Sequence, residues 1–149
     1  MHLARKGFFN SLLRTQTHGQ VIKHSVTGHE MDSAGMEMTY SSPPWLSVIV
    51  PARNEASGIA QTLAPLASWR NRGVEVILVD GGSTDATRAR AGAGVDQLLE
   101  SAPGRAHQMN RGAAQARAPL LWFLHADTRV DGRHLQVLKE ENRPWGHFR

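Results

Sequence analysis

At 149 residues, with 40% apolar and 20% charged side chains, the chain has the size and composition of one globular domain, and its Val, Ile and Leu content excludes a disordered polymer. The net charge of +4 is modest, and its arginines are scattered among acids rather than clustered with aromatics, which argues against nucleic acid as a partner. Cysteine is absent, so disulfide, thiolate-zinc and cysteine-nucleophile chemistries are excluded, and no apolar run approaches the roughly 18 residues of a membrane-spanning helix.

Residues 1–44 read as a flexible N-terminal extension. The first 29 carry Arg5, Lys6, Arg14 and Lys23 without an acid, and Ser41-Ser42-Pro43-Pro44 has linker composition. The stretch Arg5 to Arg14, with Phe8, Phe9, Leu12 and Leu13, lacks the apolar core of a secretory signal. Two readings of it compete: an amphipathic helix touching a membrane surface, and an unstructured arm, which the sequence favours. The expected location is the cytoplasm, with peripheral contact at the inner face of a membrane under the first reading.

From Trp45 the pattern is regular. Leu46–Val50, Val74–Val79 and Leu120–Leu124 are short, continuous apolar runs, the signature of parallel strands buried on both faces. Between them, Ala56–Arg70 places Ile59, Leu63, Leu66 and Trp69 at helical spacing, with Pro65 expected to kink or interrupt it. Thr84–Ala91 reads as a shorter helix capped by Ser83 or Thr84, Val95–Leu99 as a strand, Arg105–Arg117 as an Ala-rich helix, and Asp131–Asn142 as a helix with Asp131 as N-cap. Trp145–Arg149 resembles the start of a further strand. The alternation predicts an α/β fold: an open, mostly parallel sheet flanked by helices over 45–149, incomplete at its C-terminus.

In such a sheet the ligand crevice lies at the carboxyl ends of the strands. There the sequence places Pro51-Ala52-Arg53-Asn54-Glu55, Asp80-Gly81-Gly82-Ser83-Thr84-Asp85 and His125-Ala126-Asp127-Thr128. Each loop alone reads equally well as a turn or a helix start. Together they bring Glu55, Asp80 and Asp127 to one edge, an arrangement that costs free energy unless a cation or a donor-rich ligand compensates it.

These three loops, in this order and spacing and with Gly104-Arg105-Ala106 between the last two, resemble the nucleotide-binding half of family 2 glycosyltransferases, which have the Rossmann-like GT-A fold. The resemblance implies a nucleoside-diphosphate sugar, UDP- or GDP-linked, as donor, with transfer to an acceptor that it does not name and inversion at the sugar carbon. It places Pro51, Ala52, Asn54 and Glu55 around the nucleoside and Asp80 at the base edge, followed by Gly81, Gly82 and Ser83 in the same loop. Gly104 and Arg105 lie along the diphosphate, with Asn110 and Ala126 as further contacts. Asp127 corresponds to the last acid of the family's Asp-x-Asp motif and is the expected ligand for Mg2+ or Mn2+. His125 stands where the motif has its first acid, which puts the ribose contact of that acid in doubt.

Other readings fail on the same residues. A haloacid-dehalogenase nucleophile would fall on His125, and neither Gly-x-Gly-x-x-Gly after the first strand nor a phosphate-loop motif is present. No catalytic base is identified, since Glu140 and Glu141 read as a solvated helix face. The expectation is therefore a donor half without its acceptor half, open to self-association through a cut sheet edge at Trp145 and Phe148. A non-catalytic nucleotide-binding module and a nucleotidyltransferase are the alternatives.

Overall fold

A computed structural model describes residues 2–5, 42–140 and 145–147. In chain order the elements are β1 (His2–Arg5), β2 (Leu46–Ala52), α1 (Ile59–Arg70), β3 (Val74–Asp80), α2 (Thr87–Ala91), a 3-10 turn (Gly92–Gly94), β4 (Gln97–Glu100), α3 (Arg105–Gln115), β5 (Leu120–Phe123), α4 (Gly132–Glu140) and β6 (Trp145–His147). One sheet has the order β4-β3-β2-β5-β1-β6. Its first four strands are mutually parallel, and β1 runs antiparallel between β5 and β6. The open, mostly parallel sheet with flanking helices expected from the sequence is present.

The strand His2–Arg5 corrects the expectation that the whole of 1–44 lies outside the fold, because its four residues register against Leu120 to Phe123. The amphipathic reading of the arm beyond Arg5, and Phe148, lie outside the described residues. Among the described residues no helix is long and apolar enough to cross a membrane.

Burial follows from the layers. β2, β3 and β5 are covered on both sides, so nearly every residue is buried. On one face Ile59, Leu63, Leu66 and Trp69 of α1, Ala91 of α2, and Leu135 and Leu138 of α4 pack on Val48, Val50, Val76, Leu78 and Trp122. Trp69 stacks on Trp122 with centroids 6.1 Å apart. On the other face Ala113 of α3, with Ala116 just after it, meets Ile49, Ile77, Val79, Leu121 and Phe123. Edge strand β4 alternates half-buried and exposed residues.

Two local expectations are corrected. Helix α1 continues through Pro65, so the interruption, one of the two effects expected of it, does not occur. Loss of one backbone bond is offset by the five buried side chains of its sheet-facing stripe. Helix α2 begins at Thr87, not Thr84, and Ser83 and Thr84 do not cap it. Ser83 is engaged with Asp80 and Asn54, and Thr84 with Asn54, and Asp85 instead accepts the Thr87 N–H at 2.9 Å. Proline within β2 is tolerated for a geometric reason. Ile49, two residues before Pro51, points its carbonyl toward β5 and accepts Leu124 N–H at 2.9 Å. Pro51 shares that direction but lies beyond the last β2–β5 partner pair, Ile49 and Phe123, so its missing N–H leaves no ladder bond broken.

Candidate functional site

From β2 the chain moves one way to β3 and β4 and then crosses back to β5, so the strand order reverses between β2 and β5. The carboxyl ends of these strands therefore open a crevice at a topological switch point. Four segments border it: the loops after β2, β3 and β5, and the N-terminus of α3.

The first two loops are strapped together. Asn54, in the left-handed region at φ 56, accepts the Thr84 N–H on its side-chain oxygen at 2.9 Å, and its own N–H donates to the Ser83 hydroxyl at 2.9 Å. Next along the chain, Glu55 N–H donates to Thr87 Oγ1 at 2.8 Å and Ala56 N–H to Asp85 Oδ2 at 3.1 Å. The Asp85 carboxyl is held below its usual range, chiefly by the Thr87 hydroxyl and also by the Thr87 and Ala56 N–H groups. Asp80 is 2% exposed, and its carboxylate receives the Ser83 N–H, 3.1 Å from Oδ2, and the Ser83 hydroxyl. The loop's own donors thus occupy much of Asp80 and Asn54. Glu55 is half-buried, and its carboxylate has no hydrogen-bond partner among the described residues.

Gly81 N–H donates to the Ala52 carbonyl at 2.9 Å, closing the ends of β2 and β3. Gly82, which follows it, turns the chain at φ +82. The α3 side is set by Gly104, whose φ of +123 is open to glycine and strained for other residues. Arg105 follows as the first helical residue, exposed, and its Nη1 lies 3.4 Å from His125 Nε2 beyond the end of β5. The guanidinium thus spans the switch point, with permanently charged planar donors suited to phosphate oxygens.

In the last loop Ala126 is buried, and its carbonyl accepts the hydroxyl of Thr62 from α1 at 2.5 Å. Asp127, next in the chain, is exposed, with no hydrogen-bond or ion-pair partner among the described residues. Asp131, farther along, is engaged locally. Its carboxylate is tied to Arg133 and His134 at the start of α4, which holds it far below the usual carboxylate range.

The carboxylates expected at one edge stay apart there, and Asn110 does not join them. Glu55, Asp80 and Asp127 share the sheet edge but do not converge: among the described residues no three His, Asp or Glu side chains gather around one point. Asn110 is exposed and lies two positions from Gln108, about 200° around α3, so it turns away from the sheet. Sequence reasoning also missed Thr62 and Gln108. Each is a polar residue inside an otherwise small or apolar helix stripe, which is the signal that could have found them.

The family model for glycosyl transferase family 2 matches residues 47–141. A curated relative, an uncharacterized glycosyltransferase of Mycobacterium tuberculosis, is 38% identical over 98 residues, and the match covers 62% of this chain and 37% of that protein. S. aureus TarS 1-349 superposes with a TM-score of 0.56 at 24% identity, covering 64% of this chain and 31% of that one. A mannosyltransferase from Pyrobaculum calidifontis, solved with GDP-Man and Mn2+, gives a TM-score of 0.50 at 28% identity over 58% of this chain and 28% of its own. Glucosyl-3-phosphoglycerate synthase from M. tuberculosis, solved with Mn2+, UDP and glucosyl-3-phosphoglycerate, gives 0.50 at 26% identity over 56% and 33%. The chain thus spans about a third of the length of the proteins it resembles. A family match over more than half its residues, carried on a GT-A sheet, establishes that this chain belongs to glycosyltransferase family 2.

Proposed function

We propose that the crevice between β2 and β5 binds a nucleoside-diphosphate sugar, UDP- or GDP-linked, with Mg2+ or Mn2+, as the donor site of an inverting sugar transfer. The observation that carries this reading is the pairing of an exposed Asp127, unpartnered among the described residues, with Arg105 spanning to His125 at 3.4 Å, across one switch point. A carboxylate and a guanidinium so placed suit the two charges of a metal diphosphate.

Pro51, Ala52 and Glu55 border the nucleoside end, with the Asn54 strap holding the loop and Asp80 offering the base edge whatever acceptor capacity Ser83 leaves. Gly104 and Arg105 border the diphosphate. The residues present fit a cation held largely by its ligand. Asp127 supplies one hard oxygen donor, and the absence of a three-residue cluster among the described residues leaves further coordination to phosphate oxygens. When bound, such a cation neutralises charge on the departing diphosphate. The two relatives above 25% identity, solved with GDP-Man and Mn2+ and with UDP and Mn2+, support this class of ligand.

The test is a titration of UDP, GDP and their sugar conjugates with and without Mn2+, against wild type and Asp127→Ala. Metal-dependent binding that the substitution abolishes is expected. Metal-independent binding indifferent to it overturns the Asp127 assignment. Binding without hydrolysis or transfer assigns a nucleotide-binding module, and pyrophosphate release from a nucleoside triphosphate assigns a nucleotidyltransferase.

A further inference from the structure

We infer that Gln108 is a positioning residue of the crevice, acting through Arg105; the inference rests on the nucleotide-binding reading above. Gln108 is 5% exposed, and its Nε2 donates to two main-chain carbonyls at once, Ala52 at 2.8 Å and Val79 at 2.9 Å. These carbonyls belong to the carboxyl ends of β2 and β3. The Ala52 oxygen also takes the Gly81 N–H at 2.9 Å, so one atom joins β2, the loop after β3 and helix α3.

The fit is close on every side. A Cβ at Gly81 would stand 2.9 Å from the Gln108 amide carbon, and a Cβ at Gly112, one turn farther along α3, would stand 2.4 Å from Ile49 Cγ2. Helix α3 is therefore pressed onto the sheet at Gly112 and tied to the strand ends at Gln108. Arg105 lies one turn before Gln108, so this tie sets where its side chain leaves the helix toward His125. A side chain of similar volume without the two donors would remove both bonds that tie α3 to the strand ends, leaving the Ala52 carbonyl only its Gly81 N–H, and free α3 to lift.

The test uses the whole chain with Gln108→Met, and Gln108→Asn as a second variant whose amide is one methylene short of the carbonyls. Both are measured in wild-type and Arg105→Ala backgrounds. Affinities for UDP and uridine, or GDP and guanosine, are compared in each. The expected result is a loss of about tenfold in diphosphate affinity, with little change for the nucleoside, and no further loss where Arg105 is already alanine. A loss shared equally by nucleoside and nucleotide, or one that persists undiminished in Arg105→Ala, overturns the positioning role and leaves the binding reading standing. A wild-type chain that binds no nucleotide overturns both.

Discussion

The hydroxyl of Thr62, one turn into helix α1, donates to the main-chain carbonyl of Ala126 at 2.5 Å across 64 residues of sequence. Both residues are buried, and Asp127 is the next residue along. A second contact falls beside it, where Gln61 Oε1 accepts Arg129 Nη2 at 3.0 Å. Adjacent residues of α1 therefore grip the loop on both sides of the metal-ligand candidate. An exposed carboxylate held on an anchored backbone loses less conformational freedom when a cation binds.

Thr62→Val keeps the shape and removes the donor. The buried Ala126 carbonyl is left unsatisfied, at a stability cost of about 1 to 2 kcal/mol. Calorimetric titration of UDP or GDP should show the Mn2+-dependent gain in affinity reduced, with metal-free binding unchanged. Thr62→Ser, which retains the hydroxyl, should restore it. Equal weakening with and without Mn2+ would place Thr62 outside the metal's support.

The close approach of α3 gives a second expectation. Gly112→Ala puts a methyl carbon 2.4 Å from Ile49 Cγ2, inside any permissible contact, and 3.1 Å from Val79 Cγ2, a tight one. Helix α3 must move, at a cost of about 1 to 3 kcal/mol, typical of overpacked cores. Urea unfolding should show it, and Ile49→Ala in the same chain should cost less than the sum of the two single changes, because the clash and the cavity offset each other.

The sheet was legible because β2, β3 and β5 are each continuous apolar runs, a pattern that only two-sided burial explains. The loops were legible because the strand ends, rather than the loops, determine where ligands can lie. Less legible was what the loop side chains do. Asp80, Asn54 and Ser83 suggested ligand contacts, yet much of their bonding capacity is spent on one another, and the Asn54–Ser83 bond crosses 29 residues of sequence, a pairing on which spacing carries no information. The strand His2–Arg5 was missed for a related reason. Four residues without turn chemistry nearby have no periodicity to read, and their pairing with β5 is set by the sheet.

Asn54 separates backbone strain from the strap it makes. Its φ of 56 is easily adopted by glycine, tolerated by asparagine and unfavourable for alanine. Asn54→Gly should lose only the bond to Thr84, whereas Asn54→Ala should lose the bond and add strain, making it about 1 kcal/mol less stable than the glycine variant. Asn54→Asp, which keeps the acceptor at the same reach, should be close to wild type. Chemical denaturation of the three variants measures the order, and alanine equal to glycine would show that the loop relaxes out of the left-handed region.

The last expectation concerns acid. Glu75 is 2% exposed on β3, at the sheet edge opposite the crevice. Burial alone would push its carboxyl up, but the Arg117 N–H at 2.9 Å, the Ser47 hydroxyl at 2.6 Å, the Arg117 guanidinium at 2.6 Å and the Gln97 amide at 2.9 Å together hold it below the ordinary glutamate range. The charged form is thus favoured more in the folded chain than in the unfolded one. Its contribution is fully present above the unfolded value of about 4.3 and is lost as pH falls through the lower folded value, because the unfolded chain takes up the proton first. Glu75→Gln should therefore be less stable at neutral pH, by about 2 kcal/mol, and its stability should fall less steeply below about pH 4, so that the two curves converge. Taking the difference between variant and wild type removes the acid response of Asp85 and Asp131, whose carboxyls are also held low. A constant gap between the curves down to pH 2.5 would show that Glu75 serves through its shape and hydrogen bonds, and that its charge contributes nothing to holding β3 against the turn after α3.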